Sequence, residues 1–394
     1  MINISIIDYS SCSAAGSNLR ELREALRSQR SGLSNEKLPG STVDTWLGRV
    51  AAIDDVTDLG RWQSRNNALA LLGLESASLQ SHLSALTRRY SSSRIGLVIG
   101  SSTSSIDRTE LAYNHLHDQE LSPTFKQPLV HNPNAPAMFA SYITGIKGPS
   151  ITINTACSSS AKVFATGARW LEAGIVDAVL VGGVDTLCLS VVHGFDSLQL
   201  VSANPCRPFD KHRDGINLGE ASGFAILTRA ADAEAINGIH LTGYGESSDA
   251  YHMSHPHPEG AGAKQCIESA LSMAGLSPAQ IDYINLHGTA SRANDDIEGK
   301  LISSMFGRQT RCSSTKGWMG HTLGAAGITE AIVAMDALNT GLMPGTLNLE
   351  TLDDDMNLLI GSENVSQSCK HVLTNSFGFG GNNCSLVFSQ QEGH

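Results

Sequence analysis

The sequence predicts an α/β fold, and three observations carry that prediction. Short β-branched runs alternate with Ala-rich stretches of helical period, the pattern of strands enclosed between helical layers. No Pro-rich, Ser-rich or charge-run linker interrupts the chain, so two cleanly separable domains are not expected. Two stretches look like copies of one device. Thr155-Ala156-Cys157-Ser158-Ser159-Ser160 opens a small-residue helix ending at Glu172-Ala173-Gly174, and Gly320-His321-Thr322-Leu323-Gly324-Ala325-Ala326-Gly327 opens another ending at Asn339-Thr340-Gly341. Both carry few charges and should be buried, with the final Gly as a left-handed stop. A duplication with halves of about 235 and about 160 residues follows, chance likeness of two Ala/Gly-rich helices being the competing reading.

In chain order, strands are expected over residues 94–100, 150–154, 178–181, 223–228, 283–286 and 384–388, each a short β-branched run of buried character. Helices are expected over 18–27, 66–78, 161–173, 264–274, 295–305 and 328–339.

Composition bounds the function. With 394 residues, 41% hydrophobic and 16% charged, the chain can bury a large core and is not a disordered one. Its 38 Gly and 12 Pro follow no triplet register, which excludes a collagen-like structure. A net charge of −11 repels phosphate backbones and anionic lipid surfaces. No apolar run approaches the roughly 20 residues that span a bilayer, and the first residues carry no basic region typical of a signal peptide. The eight cysteines show no Cys-x-x-Cys spacing, so free thiols in a reducing, cytoplasmic setting are expected.

Among those thiols, Cys157 follows a β-branched strand and precedes a helix, on a turn that would push its side chain into a cleft at a helix N-terminus. There the macrodipole and free N–H groups favour a thiolate and can receive an oxyanion; the bland reading is a small buried hydrophobe. His287, followed by Gly288-Thr289, and His321, preceded by Gly320, each lie at a strand-to-helix junction where functional groups emerge. A glycine-rich segment, Asn375 to Asn383, precedes the last strand and would let backbone N–H groups approach a ligand. The cluster His252, His255 and His257 is broken by Pro256 and Pro258 and has no carboxylate or cysteine partner, so no metal site is expected there. Asp353-Asp354-Asp355 reads as a solvated turn.

Together with Asn132 to Ala140, Gly148-Pro149, Cys206-Arg207-Pro208-Phe209-Asp210, Arg213-Asp214-Gly215, Gly219-Glu220, Gly243-Tyr244-Gly245 and Asp249-Ala250-Tyr251-His252, these segments resemble, nearly end to end, the β-ketoacyl-acyl-carrier-protein synthases of the KAS I/II type. The resemblance implies the thiolase fold, five layers (αβαβα) from two duplicated halves, 1–235 and 236–394. Cys157 would then take the acyl chain from a carrier-protein thioester. His287 and His321 would donate hydrogen bonds to the thioester carbonyl of malonyl-carrier protein as CO₂ leaves. Lys316 and Glu330 match the family's supporting ion pair, and Asp295 another member of that polar network. The backbone N–H groups of Cys157 and Phe379 would form the oxyanion hole, with the Phe379 ring as a gate. Thr289 and Ser291 would hold the phosphopantetheine amides.

No metal or redox cofactor is implied, because phosphopantetheine arrives on the carrier protein. An acidic carrier needs a basic patch, for which Arg61, Arg65 and Lys126 resemble the docking surface, while Arg207 and Arg213 flank a pocket loop. Met319, Ser291 and Asn382 depart from the usual pattern and bear on substrate fit. Two rivals stand beside this reading: a chain-length factor, which would lack the nucleophile, and a thiolase, which would need a second cysteine near the glycine loop. A homodimer, or a heterodimer with a chain-length-factor-like subunit, is expected, and the wording around Lys316 and His287 looks closer to polyene-type pathways, aryl polyenes included, than to housekeeping enzymes.

Overall fold

The computed structural model describes residues 3–116, 120–122, 125, 127–232 and 236–391. Its sheet contains β1 (Ile4–Ser13), β2 (Ile95–Gly100), β3 (Ser150–Ile153), β4 (Ala178–Asp185), β5 (Ala221–Arg229) and β6 (Ile239–Ser248), followed by β7 (Tyr283–Asn285), β8 (Arg311–Ser313), β9 (Leu359–Ile360), β10 (His371–Gly378) and β11 (Asn382–Gln390). They lie in the order β9-β8-β7-β10-β11-β6-β1-β5-β4-β2-β3. Outward from the middle, β1-β5-β4-β2-β3 and β6-β11-β10-β7-β8 repeat one pattern. In each half the two inner pairings are antiparallel and the two outer ones parallel. The halves are joined in the sheet by two residue pairs, Ile4 with Leu241 and Ser5 with His240. This is the duplication that the two matching helices announced.

The helices of nine residues or more are α1 (Leu19–Arg27), α2 (Arg65–Leu74), α3 (Ala77–Tyr90), α4 (Ile106–Asn114), α5 (Ala135–Thr144), α6 (Ser159–Glu172), α7 (Leu189–Ser197), α8 (Ala261–Ala274), α9 (Arg292–Phe306) and α10 (Ala326–Thr340). The duplicated helices α6 and α10 pack on each other and touch strands of both halves, whereas α2, α3 and α5 cover the outer face of the first half and α8 that of the second. Side chains of α9 join the core beneath β7 and β8. Five layers result, helices alternating with sheet. Every residue of α10 from Ala326 to Leu338 is buried, as an apolar helix enclosed on all sides requires. Gly327 permits the close crossing of α10 over α6: a Cβ there would lie 2.3 Å from the Ala161 nitrogen. Gly174 and Gly341 end the two helices with φ of +66° and +70°.

Three expectations change. The helix predicted over 66–78 is two helices, because Ser76 accepts the Leu79 N–H and starts α3 immediately after α2 ends. The strand around residue 151 is not a buried one: β3 is the sheet edge, its Ser150 and Ile151 exposed. β1, at the centre, escaped the periodicity reading because its buried positions include Ser5, Ser10, Ser11 and Ser13, so polar letters occupy apolar surroundings. No helix among the described residues is long and apolar enough to cross a membrane.

Candidate active site

The turns leading into the two duplicated helices carry two of the candidate groups, Cys157 and His321. Ahead of α6, Ala156 sits at φ +52°, a left-handed conformation that an alanine rarely adopts. Serine hydroxyls tie the turn: Ser158 Oγ donates to Thr155 O at 2.9 Å and Ser159 Oγ to Ala156 O at 2.6 Å. The Cys157 side chain is thereby aimed into a cavity that His287, His321, Phe195 and Phe379 also line. Ahead of α10, the His321 N–H donates to Asn217 O at 2.7 Å, and the His321 carbonyl accepts from the Gly219 N–H at 3.0 Å. Its Nε2 lies 2.9 Å from the Cys157 sulfur.

The His287 ring stands 5.4 Å from that of His321 at an interplanar angle of 85°. Lys316 Nζ donates to the His287 carbonyl and is paired with Glu330, all of them buried. Glu298 Oε1 accepts the His287 N–H at 2.9 Å and Oε2 the Gly288 N–H at 2.8 Å. One ligand atom from each of Cys157, His287 and His321 lies within 4.8 Å of the others, and this is the one such three-residue group among the described residues.

Burial governs the charges. It pushes the Cys157 thiol up to about 11, against the Lys316 charge and the Phe379 N–H, which pull the other way. Desolvation thus outweighs the pull towards a thiolate at the helix N-terminus. Burial, with Lys316 adding to it, holds both imidazoles well below their ordinary range, so they are neutral near pH 7. Burial also raises Glu298 and Glu330 to about 7 and lifts the Asp295 carboxyl.

The remaining candidates divide. Phe379 presents its N–H to Cys157, and its ring lies 5.4 Å from that of Phe195 between Gly378 and two glycines at φ +78° and +72°. Thr289 and Ser291 line the same cavity, their hydroxyls 2.9 Å apart, and Ser291 also caps α9. Asp295 braces loops, accepting from the Phe209 N–H at 2.8 Å and the Ala290 N–H at 3.1 Å; its bonds do not go to the imidazoles. Arg61 is exposed and stacks over Trp62 and Tyr142. Arg65 is committed to buried Glu220 and to exposed Asp54, which leaves its charge no freedom to meet a partner. Lys126 lies outside the described residues. Arg213 is fully buried between Asp296 and Asp353; Arg207 is half-buried. His252 and His255 pair with each other, rings 4.9 Å apart. Met319 is core, and Asn382 accepts from Lys162 at 3.3 Å.

Two carboxylates that brace loops and helices around the cavity were missed in the sequence. Glu298, three residues after Asp295 on α9, turns the same helix face inward; that spacing was the available signal. Glu110 on α4 accepts the N–H groups of Leu189 and Ser190 at 3.1 and 2.7 Å, and nothing local announces so distant a contact. Cys384 is buried inside β11, away from the role a thiolase would give it.

A duplicated αβαβα fold with a cysteine and two histidines at its centre defines a class of thiolase-fold enzymes, and the relatives agree. Residues 3–233 match the family model for the beta-ketoacyl synthase N-terminal domain and residues 239–350 that for the C-terminal domain. The chain belongs to the β-ketoacyl synthase family. It is 33% identical over 314 residues to a 3-oxoacyl-[acyl-carrier-protein] synthase 2 of Coxiella burnetii, covering 75% of each chain. To the plastid synthase II of Arabidopsis thaliana it is 38% identical over 259 residues, 62% of this chain and 48% of that one. Among solved structures it resembles the ketosynthase ApeO, in complex with its chain length factor ApeC, from Xenorhabdus doucetiae (35% identity, TM-score 0.88, 99% and 98% covered). It also resembles a beta-ketoacyl synthase of Burkholderia phymatum (26%, 0.88, 100% of each).

Proposed function

We propose that this chain is a decarboxylating ketosynthase that acts on carrier-protein thioesters. One observation carries the reading: a thiol and two neutral imidazoles, 130 and 164 residues away along the chain, share one cavity. In the first half-reaction Cys157 sulfur, beside His321 Nε2, attacks the acyl thioester, and the tetrahedral adduct collapses as the carrier-protein thiol leaves with the proton that Cys157 gave up. The tetrahedral oxyanion is met by the Cys157 and Phe379 N–H groups. In the second, His287 and His321 donate hydrogen bonds to the malonyl thioester carbonyl. CO₂ leaves, and the resulting enolate carbon attacks the acyl-Cys157 carbonyl, releasing the thiol. The product is a β-ketoacyl thioester two carbons longer. Lys316, held by Glu330, and Glu298 fix the His287 loop from behind, while Asp295 fixes the neighbouring turn. Thr289 and Ser291, at the cavity wall, hold the phosphopantetheine amides.

The reaction calls for no resident cofactor, since the thioester and the malonyl carboxylate supply its driving force. Acyl carrier protein is the partner, with exposed Arg61 at its docking surface. The open edge of β3, with Ile151 and neighbouring Tyr142 exposed at 43% and 62%, supports pairing with a second subunit of the same fold, a copy of this chain or a chain-length-factor homologue. The sequence around Lys316 and His287 supports an aryl-polyene or related polyketide setting over housekeeping fatty-acid synthesis, in the cytoplasm. The likeness to a ketosynthase solved with its chain length factor supports a two-subunit assembly, and the intact Cys157 argues against a chain-length factor. Intact-protein mass spectrometry with a panel of acyl-carrier proteins tests the reading. An acyl mass gain lost in Cys157→Ala is expected; an unchanged gain in that variant would overturn it.

A further inference from the structure

We propose that Cys157, His287 and His321 also form an inhibitory site for a thiophilic divalent cation, zinc above all, accessible only while the thiol carries no acyl group. The metal part of this inference rests on geometry alone; the competition with an acyl group rests on the function proposed above.

Three ligand atoms lie within 4.8 Å of one another at the end of a cavity. Zinc bonds of about 2.0–2.1 Å to imidazole and about 2.3 Å to sulfur place neighbouring tetrahedral ligands roughly 3.3–3.7 Å apart. The His321–Cys157 contact of 2.9 Å must open slightly and the widest pair close by about 1 Å, which side-chain torsions supply. Each imidazole brings one ring nitrogen to the cluster. The S–H bond breaks, its proton leaves to solvent, and a sulfur–metal bond forms without any redox change. Three protein ligands leave a fourth position for water, and the thiolate-imidazole set favours zinc, cobalt or cadmium over magnesium or calcium.

The same surroundings make the site reversible rather than resident. Neither His287 Nδ1 nor His321 Nδ1 has a hydrogen-bond partner, whereas lasting zinc sites orient each imidazole through its second nitrogen. The Lys316 charge repels a cation, offset by Glu330 and Asp185 within electrostatic reach of the sulfur. An acyl group on Cys157 removes the one anionic ligand, so metal and acyl chain exclude each other.

Cobalt(II) added to the purified 394-residue chain tests the site. A thiolate-to-cobalt charge-transfer band in the near ultraviolet is expected, titrating to one ion per chain and abolished by zinc. Cys157→Ser should lose the band, and His287→Ala or His321→Ala should weaken cobalt binding at least about tenfold. His252→Ala serves as the control and should change nothing. Zinc should also slow alkylation of Cys157 by iodoacetamide in the unaltered protein, a readout that needs no variant to fold. Absence of the band up to millimolar cobalt, or a band that survives Cys157→Ser, overturns the inference. A chain that binds cobalt through Cys157 but accepts no acyl group would retain the site and defeat the condensation reading; acyl transfer without the band does the reverse.

Discussion

His321 Nε2 stands 2.9 Å from the sulfur of Cys157, yet burial keeps the thiol near 11 and the imidazole neutral. The resting pair is thus thiol and imidazole, not thiolate and imidazolium. The thiolate fraction should grow about tenfold for each pH unit between 7 and 9. Iodoacetamide labelling of Cys157, followed by mass spectrometry, should rise with that slope. A plateau by pH 7 would show a preformed ion pair. Lys316→Met, which removes a charge favouring the thiolate, should lower the rate at every pH.

The proposed function gives decarboxylation to the imidazoles and acylation to the sulfur. Cys157→Gln should still release CO₂ from malonyl-carrier protein, while His287→Ala or His321→Ala should reduce that release by about 10²–10³, the cost of one lost oxyanion donor. Complete silence of Cys157→Gln in a radiolabelled CO₂ assay would contradict the roles given to the pair.

Glu298 links charge to stability. Its folded pKa of about 7 lies above the ordinary 4.5, so between those values the folded state holds a proton that the unfolded state releases. Stability therefore falls as pH rises from 4.5 to 7, by roughly 3 kcal/mol for this group alone. Glu298→Gln should flatten that slope in denaturant titrations at pH 5, 6 and 7. It should also lower stability throughout, since one of two N–H groups loses its acceptor. An unchanged slope would remove Glu298 as its source.

Glu110 fixes the start of α7, the helix that carries Phe195 to its contact with Phe379. Glu110→Ala should cost about 1 kcal/mol of capping energy. It should also shift the acyl-length preference of Cys157 loading by roughly threefold or more, with decarboxylation in a Cys157→Gln background unaffected. Loss of both activities in parallel would mark a merely structural role.

Arg61 and Arg65 should separate cleanly. Arg65→Ala leaves buried Glu220 with only the Val50 and Leu187 N–H groups and no cation, and should destabilise the fold by about 3–5 kcal/mol. Arg61→Ala should leave the unfolding midpoint unchanged and raise KM for the carrier protein. Thermal unfolding together with carrier-protein kinetics decides between them.

What the sequence showed and hid follows from where information is local. The twin helices, their glycine stops and the loops bearing His287 and His321 are written in adjacent residues, and so they were readable. β1 was not, because four serines occupy its buried positions. Nor was the inward use of Arg65, since its partner Glu220 is 155 residues distant. The thiol's protonation could not be read either: a helix N-terminus is visible in sequence, but the depth at which it is buried is not.

The crossing at Gly327 and Ala161 works as a spacer gauge. Cys157 and His321 stand just ahead of the two helices that meet there, so the thickness of that contact sets the gap between sulfur and ring. A single added methyl at Gly327 would act as a wedge, prising apart two reagents it never touches.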